Sequence, residues 1–210
     1  MSKPIIIADF AYKSPKRSGR GTGGTGLKAT LKYLQFRDQR NNRLAQSRTF
    51  ERWQDRGLGV HHRAIYQACD AMQSKHVLAW TWVISPAPDL LARVPAAGRR
   101  DLLCELTERI VEDYYLARGF DVPEYSYVVH RASTQPTPEE PSREHLHTHV
   151  VLPGTASTSA ERLPVYNNTS KGHEKRFHEI AAGHFADLLD ETIGREWRRL
   201  REVELDRDID

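Results

Sequence analysis

The chain has 210 residues, of which 39% are hydrophobic and 28% charged, and its net charge is +3. That length suits a single domain over 1–210 with its own core, and the composition excludes wholesale disorder. Two cysteines, Cys69 and Cys104, are too few for a disulfide framework or a cysteine-based zinc site, and no stretch approaches the ~20 apolar residues of a membrane helix.

The opening MSKPIIIADF lacks the long apolar core of a signal peptide, so a cytoplasmic protein is expected. From Pro4 to Phe10 the chain is short, apolar and β-branched, which reads as a buried strand. Basic residues then cluster: Lys13, Lys16, Arg17 and Arg20 precede a glycine-rich stretch, and Arg37, Arg40, Arg43, Arg48 and Arg52 follow it. Such clustering suits a polyanionic partner, although a charge run is more often a solvated face. In LKATLKYLQFRD, Leu27, Leu31 and Leu34 recur at helical spacing, with Tyr33 among them. Residues 38–60 carry no clear period. A second helix is expected over His62–Gln73.

HVLAWTWVIS, 76–85, is a strand closed by Pro86 and Pro88. Leu102, Leu103, Leu106, Ile110 and Tyr114 share one face of a helix within 98–119, and Gly119 ends it. Tyr114 and Tyr115 are therefore assigned to the core. Residues 124–132 alternate as a strand does, a Pro- and Glu-rich loop fills 133–143, and EHLHTHVVL begins another strand. A long amphipathic helix is expected from about Lys171 to Arg201, with Phe177, Ile180, Phe185, Leu188 and Leu189 on its apolar side. The order is β, α, α, β, α, β, β, α. Neighbouring strands usually pair, so those near 125 and 147 should form an antiparallel hairpin. The expected class is α+β, a central antiparallel sheet with helices packed on it.

EHLHTHVVL carries the most chemistry. Side chains alternate across a strand, so His145, His147 and His149 project from one face and Leu146, Thr148 and Val150 from the other. Same-face neighbours stand roughly 7 Å apart, close enough for two imidazoles to lean onto one ion with bonds near 2 Å. His130, at the end of YSYVVH on the adjacent strand, can supply a third nitrogen. Three nitrogens without cysteine leave coordination positions open, as a catalytic metal requires.

HLHTHVVLPGT, preceded by YSYVVH, resembles the histidine motif of HUH endonucleases, in particular the conjugative relaxases of plasmid mobilisation systems. In that family one histidine at a strand end and a His-x-His pair opening the next strand hold one divalent cation. The pair runs on into valines or isoleucines, as HTHVVL does here. The resemblance implies His130, His147 and His149 as metal ligands. HLH at 145–147 is also a histidine–hydrophobic–histidine triplet, which keeps His145 as a further candidate, while the apolar run after His149 favours the later pair.

The same resemblance implies a tyrosine nucleophile on a helix near the N-terminus. Tyr33 is the match, and Tyr12, beside the basic loop, is the alternative. The chain order, tyrosine before histidines, is that of relaxases. Only 27–37 and 125–154 carry specific motifs. One departure stands out: relaxases often place an aspartate two residues after the first histidine, and Ala132 occupies that position. The partner that would fix the imidazole's tautomer is missing or comes from elsewhere.

What the resemblance implies is site-specific nicking and rejoining of single-stranded DNA by transesterification, through a 5′-phosphotyrosyl link. Lys28, Lys32 and Arg37 are the implied phosphate contacts. The implied partners are single-stranded DNA at a nick site and accessory mobilisation proteins, with no membrane segment. Mg²⁺ or Mn²⁺ would be the ion in use, although a nitrogen-only site by itself prefers Zn²⁺, Co²⁺ or Ni²⁺. Two other classes stay open: a metal-dependent phosphodiesterase using metal-bound water, and a non-catalytic DNA-binding module with a structural metal. GTGGTG, 21–26, has dinucleotide-type glycine spacing but lacks the strand-to-turn connection and the acidic ribose ligand. It is not a phosphate-binding Walker loop either, because Leu27 stands where lysine is required.

Overall fold

The computed structural model describes residues 4–15, 26–41, 53–133, 144–156 and 173–207. Lys16, Arg17, Arg20, the glycines of 21–25, Arg43, Arg48, Arg52 and the loop 134–143 lie outside the described residues. Five strands, β1 (Ile6–Lys13), β2 (Gln54–Arg56), β3 (Ala79–Pro86), β4 (Tyr125–Ser133) and β5 (Glu144–Pro153), form one sheet. Its order is β1-β3-β5-β4-β2, and every neighbouring pair is antiparallel. The helices are α1 (Leu27–Asn41), α2 (His62–Ala71), the one-turn α3 (Pro88–Leu91), α4 (Arg99–Leu116), α5 (His173–Ile193) and α6 (Glu196–Arg207). The class is α+β, with helices on both faces of an antiparallel sheet.

Strand alternation sorts the core into two layers. Ile6, Ala8, Trp80, Trp82, Ile84, Tyr127, Val129, Val150 and Leu152 point to one face and pack with α4 and α5. Trp82 anchors that layer: its ring lies edge-on to Tyr114 at 5.3 Å and to Phe177 at 4.8 Å, and stacks on Tyr115 at 5.9 Å. Each such pair adds about 0.5–1.5 kcal/mol beyond area burial, so one strand residue ties both helices to the sheet. Tyr114 and Tyr115 are core residues, as their helical spacing required. On the other face Ala79, Val128 and Val151 meet Leu27, Leu31 and Leu34 of α1 and Ile65 and Cys69 of α2. The histidines of β5 belong to this second face.

Several elements differ from expectation. The first strand is not buried on both sides: β1 is an edge strand, with Ile6 and Ala8 covered and Ile7 and Asp9 exposed. The polar stretch 38–60 contains β2, a three-residue strand that pairs with Tyr125–Tyr127 and is too short to show a period. The long C-terminal helix is two helices. Gly194 takes φ +74°, a left-handed conformation that ends α5, and Asp190 then accepts hydrogen bonds from Trp197 Nε1 and Arg198 across the corner. None of the described helices is long and apolar enough to cross a membrane.

Candidate metal centre

The hairpin β4–β5 aligns the histidines by register. His130 lies opposite His147, Val128 opposite His149, and Ala132 opposite His145, so all belong to one face. His130 is fully buried, His147 is 7% exposed and His149 is half-buried. Ring centroids stand 4.9 Å apart for His130 and His149, 5.1 Å for His147 and His149, and 5.7 Å for His130 and His147. One nitrogen from each of the three rings falls within 4.8 Å of the other two. Such a buried three-histidine group can hold a metal ion.

His145 stands apart from this group. Its ring lies 5.3 Å from His147, but its Nε2 is hydrogen-bonded to Ser85 Oγ at 2.6 Å. Ser85 is on β3, so His145 leans toward the β3 side of β5 while His147 and His149 meet His130 of β4.

The tautomer of His130 has a visible cause. Its Nε2 lies 2.7 Å from the carbonyl oxygen of Leu34 on α1. A carbonyl only accepts, so the imidazole proton is on Nε2 and Nδ1 carries the lone pair. The partner absent at Ala132 is thus a backbone carbonyl 96 residues away in sequence. A main-chain atom has no residue-type signature, which is why the motif could not reveal it. Behind β5, Thr148 sits between the two histidines on the opposite face, and its Oγ1 meets Thr107 Oγ1 of α4 at 3.0 Å. Thr107 Oγ1 in turn donates to the Leu103 carbonyl at 2.7 Å.

Helix α1 crosses the histidine face and touches both β4 and α2. Leu27, Leu31 and Leu34 bury toward the sheet; Tyr33, 100° around the helix from Leu34, is 46% exposed. The structure therefore brings the helix that carries Tyr33 onto the triad, with the adjacent residue making the contact. Lys28 and Lys32 are exposed on α1 and exert their fields on His62 of α2. Arg37 lies on α1, with its side chain outside the described residues. Tyr12 is not brought to the site. It pairs with Trp80, which pairs with Leu152, and so projects from the face opposite the histidines, its ring 5.5 Å from that of Trp80.

Three neighbours of the site escaped sequence reading. Gln35, next to Leu34, accepts with Oε1 from the His62 backbone N–H at 2.7 Å and from the His62 ring at Nδ1 at 2.8 Å. Burial first, then the fields of His61, Arg63, Lys32 and Lys28, hold the His62 imidazole below its ordinary range. Phe36 presses its ring edge-on to His62 at 5.6 Å. The triplet HHR at 61–63 was the available signal, and it carries no periodicity.

The fold and the histidine group define an α+β protein with a candidate metal centre on one sheet face, beneath a helix that presents a tyrosine. No protein-family model matches the chain, and no curated protein matches it.

Proposed function

We propose that the chain is a metal-dependent, site-specific single-strand DNA nicking and rejoining enzyme, with Tyr33 as its nucleophile. The observation that supports this reading best is the hydrogen bond from His130 to Leu34, which joins the tyrosine helix to the histidine group. His130, His147 and His149 are the residues that would hold the ion. When bound, a divalent cation supplies Lewis-acid stabilisation of charge on the phosphoryl oxygens of the scissile phosphate.

The protein's own residues do the rest. Tyr33 Oη attacks phosphorus as it gives up its proton; the P–O3′ bond breaks, and the 3′ oxygen leaves and takes a proton. The product is a 5′-phosphotyrosyl link with a free 3′-OH. One phosphodiester is exchanged for another, so the 3′-OH can attack in return and reseal the strand. The Leu34 carbonyl holds the His130 proton at Nε2, which puts the ring's lone pair on Nδ1. Lys28, Lys32 and Arg37 would take the phosphates of the strand, and Mg²⁺ or Mn²⁺ would be the working ion.

Tyr33's exposure favours a second reading, hydrolysis with water as nucleophile and no role for Tyr33. The two separate cleanly. Purified protein with Mn²⁺ and a random-sequence pool of single-stranded oligonucleotides should yield an SDS-resistant protein–DNA adduct, and Tyr33→Phe should abolish it while His149→Ala also does. Cleavage without any adduct, unchanged in Tyr33→Phe, would establish hydrolysis and sink the tyrosine mechanism.

A further inference from the structure

Helix α1 carries Lys28, Lys32 and Phe36 at successive four-residue steps, which places them in one stripe along the helix. That stripe runs toward the start of α2, where His61, His62 and Arg63 follow one another. The three rings are contiguous: Phe36 meets His62 edge-on at 5.6 Å, and His61 lies tilted on His62 at 4.2 Å. His62 is 7% exposed and clamped by Gln35, so its ring orientation is built rather than incidental. His61 Nδ1 accepts from the Arg63 backbone N–H at 3.3 Å, which also holds the second ring.

We infer that this stripe is a platform for single-stranded DNA, seating bases on the partly exposed rings of Phe36 and His61, with the buried His62 ring as the support between them, and phosphates on Lys28, Lys32 and Arg63. The inference rests on the phosphodiester reading of the histidine group and names the surface that would present the strand to it. Two consecutive residues make the connection: Leu34 contacts His130, and Gln35 contacts His62. Their Cα atoms are one peptide apart, ~3.8 Å. The stripe and the triad are thus tied to the same turn of α1. Rings stack on any base, and cations meet any phosphate, so the surface tolerates sequence. Burial and the surrounding positive charge hold the His62 imidazole below its ordinary range, which disfavours its charged form and leaves the ionic contacts to lysine and arginine.

The test measures binding without cleavage. A fluorescently labelled single-stranded DNA of mixed sequence is titrated with the whole chain in EDTA, by anisotropy, across a series of salt concentrations. The pair Lys28→Ala and Lys32→Ala should flatten the dependence of log K on log salt by about 1.4, two contacts at roughly 0.7 each. Phe36→Leu, which keeps an apolar side chain, and His61→Asn, whose amide oxygen can replace the Nδ1 cap acceptor, should weaken binding roughly five- to hundredfold each with the salt slope unchanged. Wild-type affinity and slope in all three variants, with thermal midpoints intact, would overturn the platform. Equal residue dependence but tighter binding to RNA of the same sequence would overturn the DNA assignment. An adduct through Tyr33 with these variants binding normally removes the platform alone; binding that depends on them with no cleavage under any metal removes the enzyme reading alone.

Discussion

The pair of threonines behind the candidate metal centre lends itself to a double-mutant cycle. Thr107 donates its only hydroxyl proton to the Leu103 carbonyl, so the 3.0 Å contact to Thr148 must use the Thr148 proton. Both side chains are fully buried. Thr107→Val therefore leaves the Thr148 hydroxyl, a donor, in the core without its acceptor, at a cost of roughly 1–3 kcal/mol. Thr148→Val is milder, about 0.5–1.5 kcal/mol, because Thr107 keeps its bond to Leu103. The double variant replaces both partners by isosteric apolar groups and should cost less than the sum of the singles. A chain of this size shifts its thermal midpoint by roughly 2–4 °C per kcal/mol. The expected ranking is thus Thr107→Val lowest, then the double variant and Thr148→Val close together above it. Thermal unfolding followed by circular dichroism reads this directly. Additive losses, or Thr148→Val as the worse single, would refute the proton assignment. The histidine register rests on β3 and β4 pairing as well, so metal affinity should persist in the double variant.

The remaining expectations concern the metal, pH and packing. At a free metal concentration about 100 times Kd, a site present only in the folded chain adds about 2.7 kcal/mol, or roughly 5–10 °C in thermal midpoint. That rise should appear with Zn²⁺, Co²⁺, Ni²⁺ or Mn²⁺, vanish in His130→Ala and His147→Ala, and survive His145→Ala, whose ring is bonded to Ser85 and lies outside the three-histidine group. No shift with any of the four ions would remove the metal centre. Burial pushes the Cys69 thiol and the Tyr125 phenol up to about 12, and burial followed by the Glu108 hydrogen bond pushes Tyr127 higher still. These groups are acids whose folded values are raised, so the stability they lend is complete below the ordinary thiol and phenol ranges. It is lost as pH climbs from about 9 toward 12; chemical denaturation that shows constant stability to pH 11 would contradict this. Gly154→Ala would set a Cβ 2.1 Å from the Val77 carbonyl oxygen and 2.7 Å from the Ser74 nitrogen. Both are backbone atoms, so we expect a loss of roughly 3 kcal/mol, the upper range of over-packing, and a midpoint within 1 °C of wild type would show that the turn yields freely.

Period-two and period-3.6 patterns explain which parts of the fold were legible. The alternation of YSYVVH and HLHTHVVL set both strands and, through adjacency, their antiparallel pairing. Leu102 to Tyr114 marked α4 because every buried contact lies on one stripe. Legibility failed where the deciding term was local or belonged to the backbone. β2 is too short to hold a pattern, and the apolar stripe of α5 runs on past Gly194, so the break rests on one residue's left-handed conformation. Tyr12 looked close to the basic loop in sequence; only the β1–β3–β5 register shows that it faces the other way. At the site, the converging histidines were legible as a motif. The Leu34 carbonyl and the Gln35–His62 clamp were not, because both depend on how α1 lies across the sheet.

The bond between His130 and Leu34 also bears on how the molecule assembles. β4 and β5 are consecutive strands and can meet early, whereas Leu34 lies 96 residues from His130 and reaches it only after α1 has docked on the sheet. Closing that long loop carries an entropy cost that local hairpin pairing avoids. The hairpin alone thus contains all three imidazoles but not the contact that fixes the proton on one of them. A fragment spanning β4 and β5 would carry the three histidines without that contact. Only with α1 in place does His130 have a set tautomer, so the proton position on a hairpin residue is decided by a segment 96 residues away.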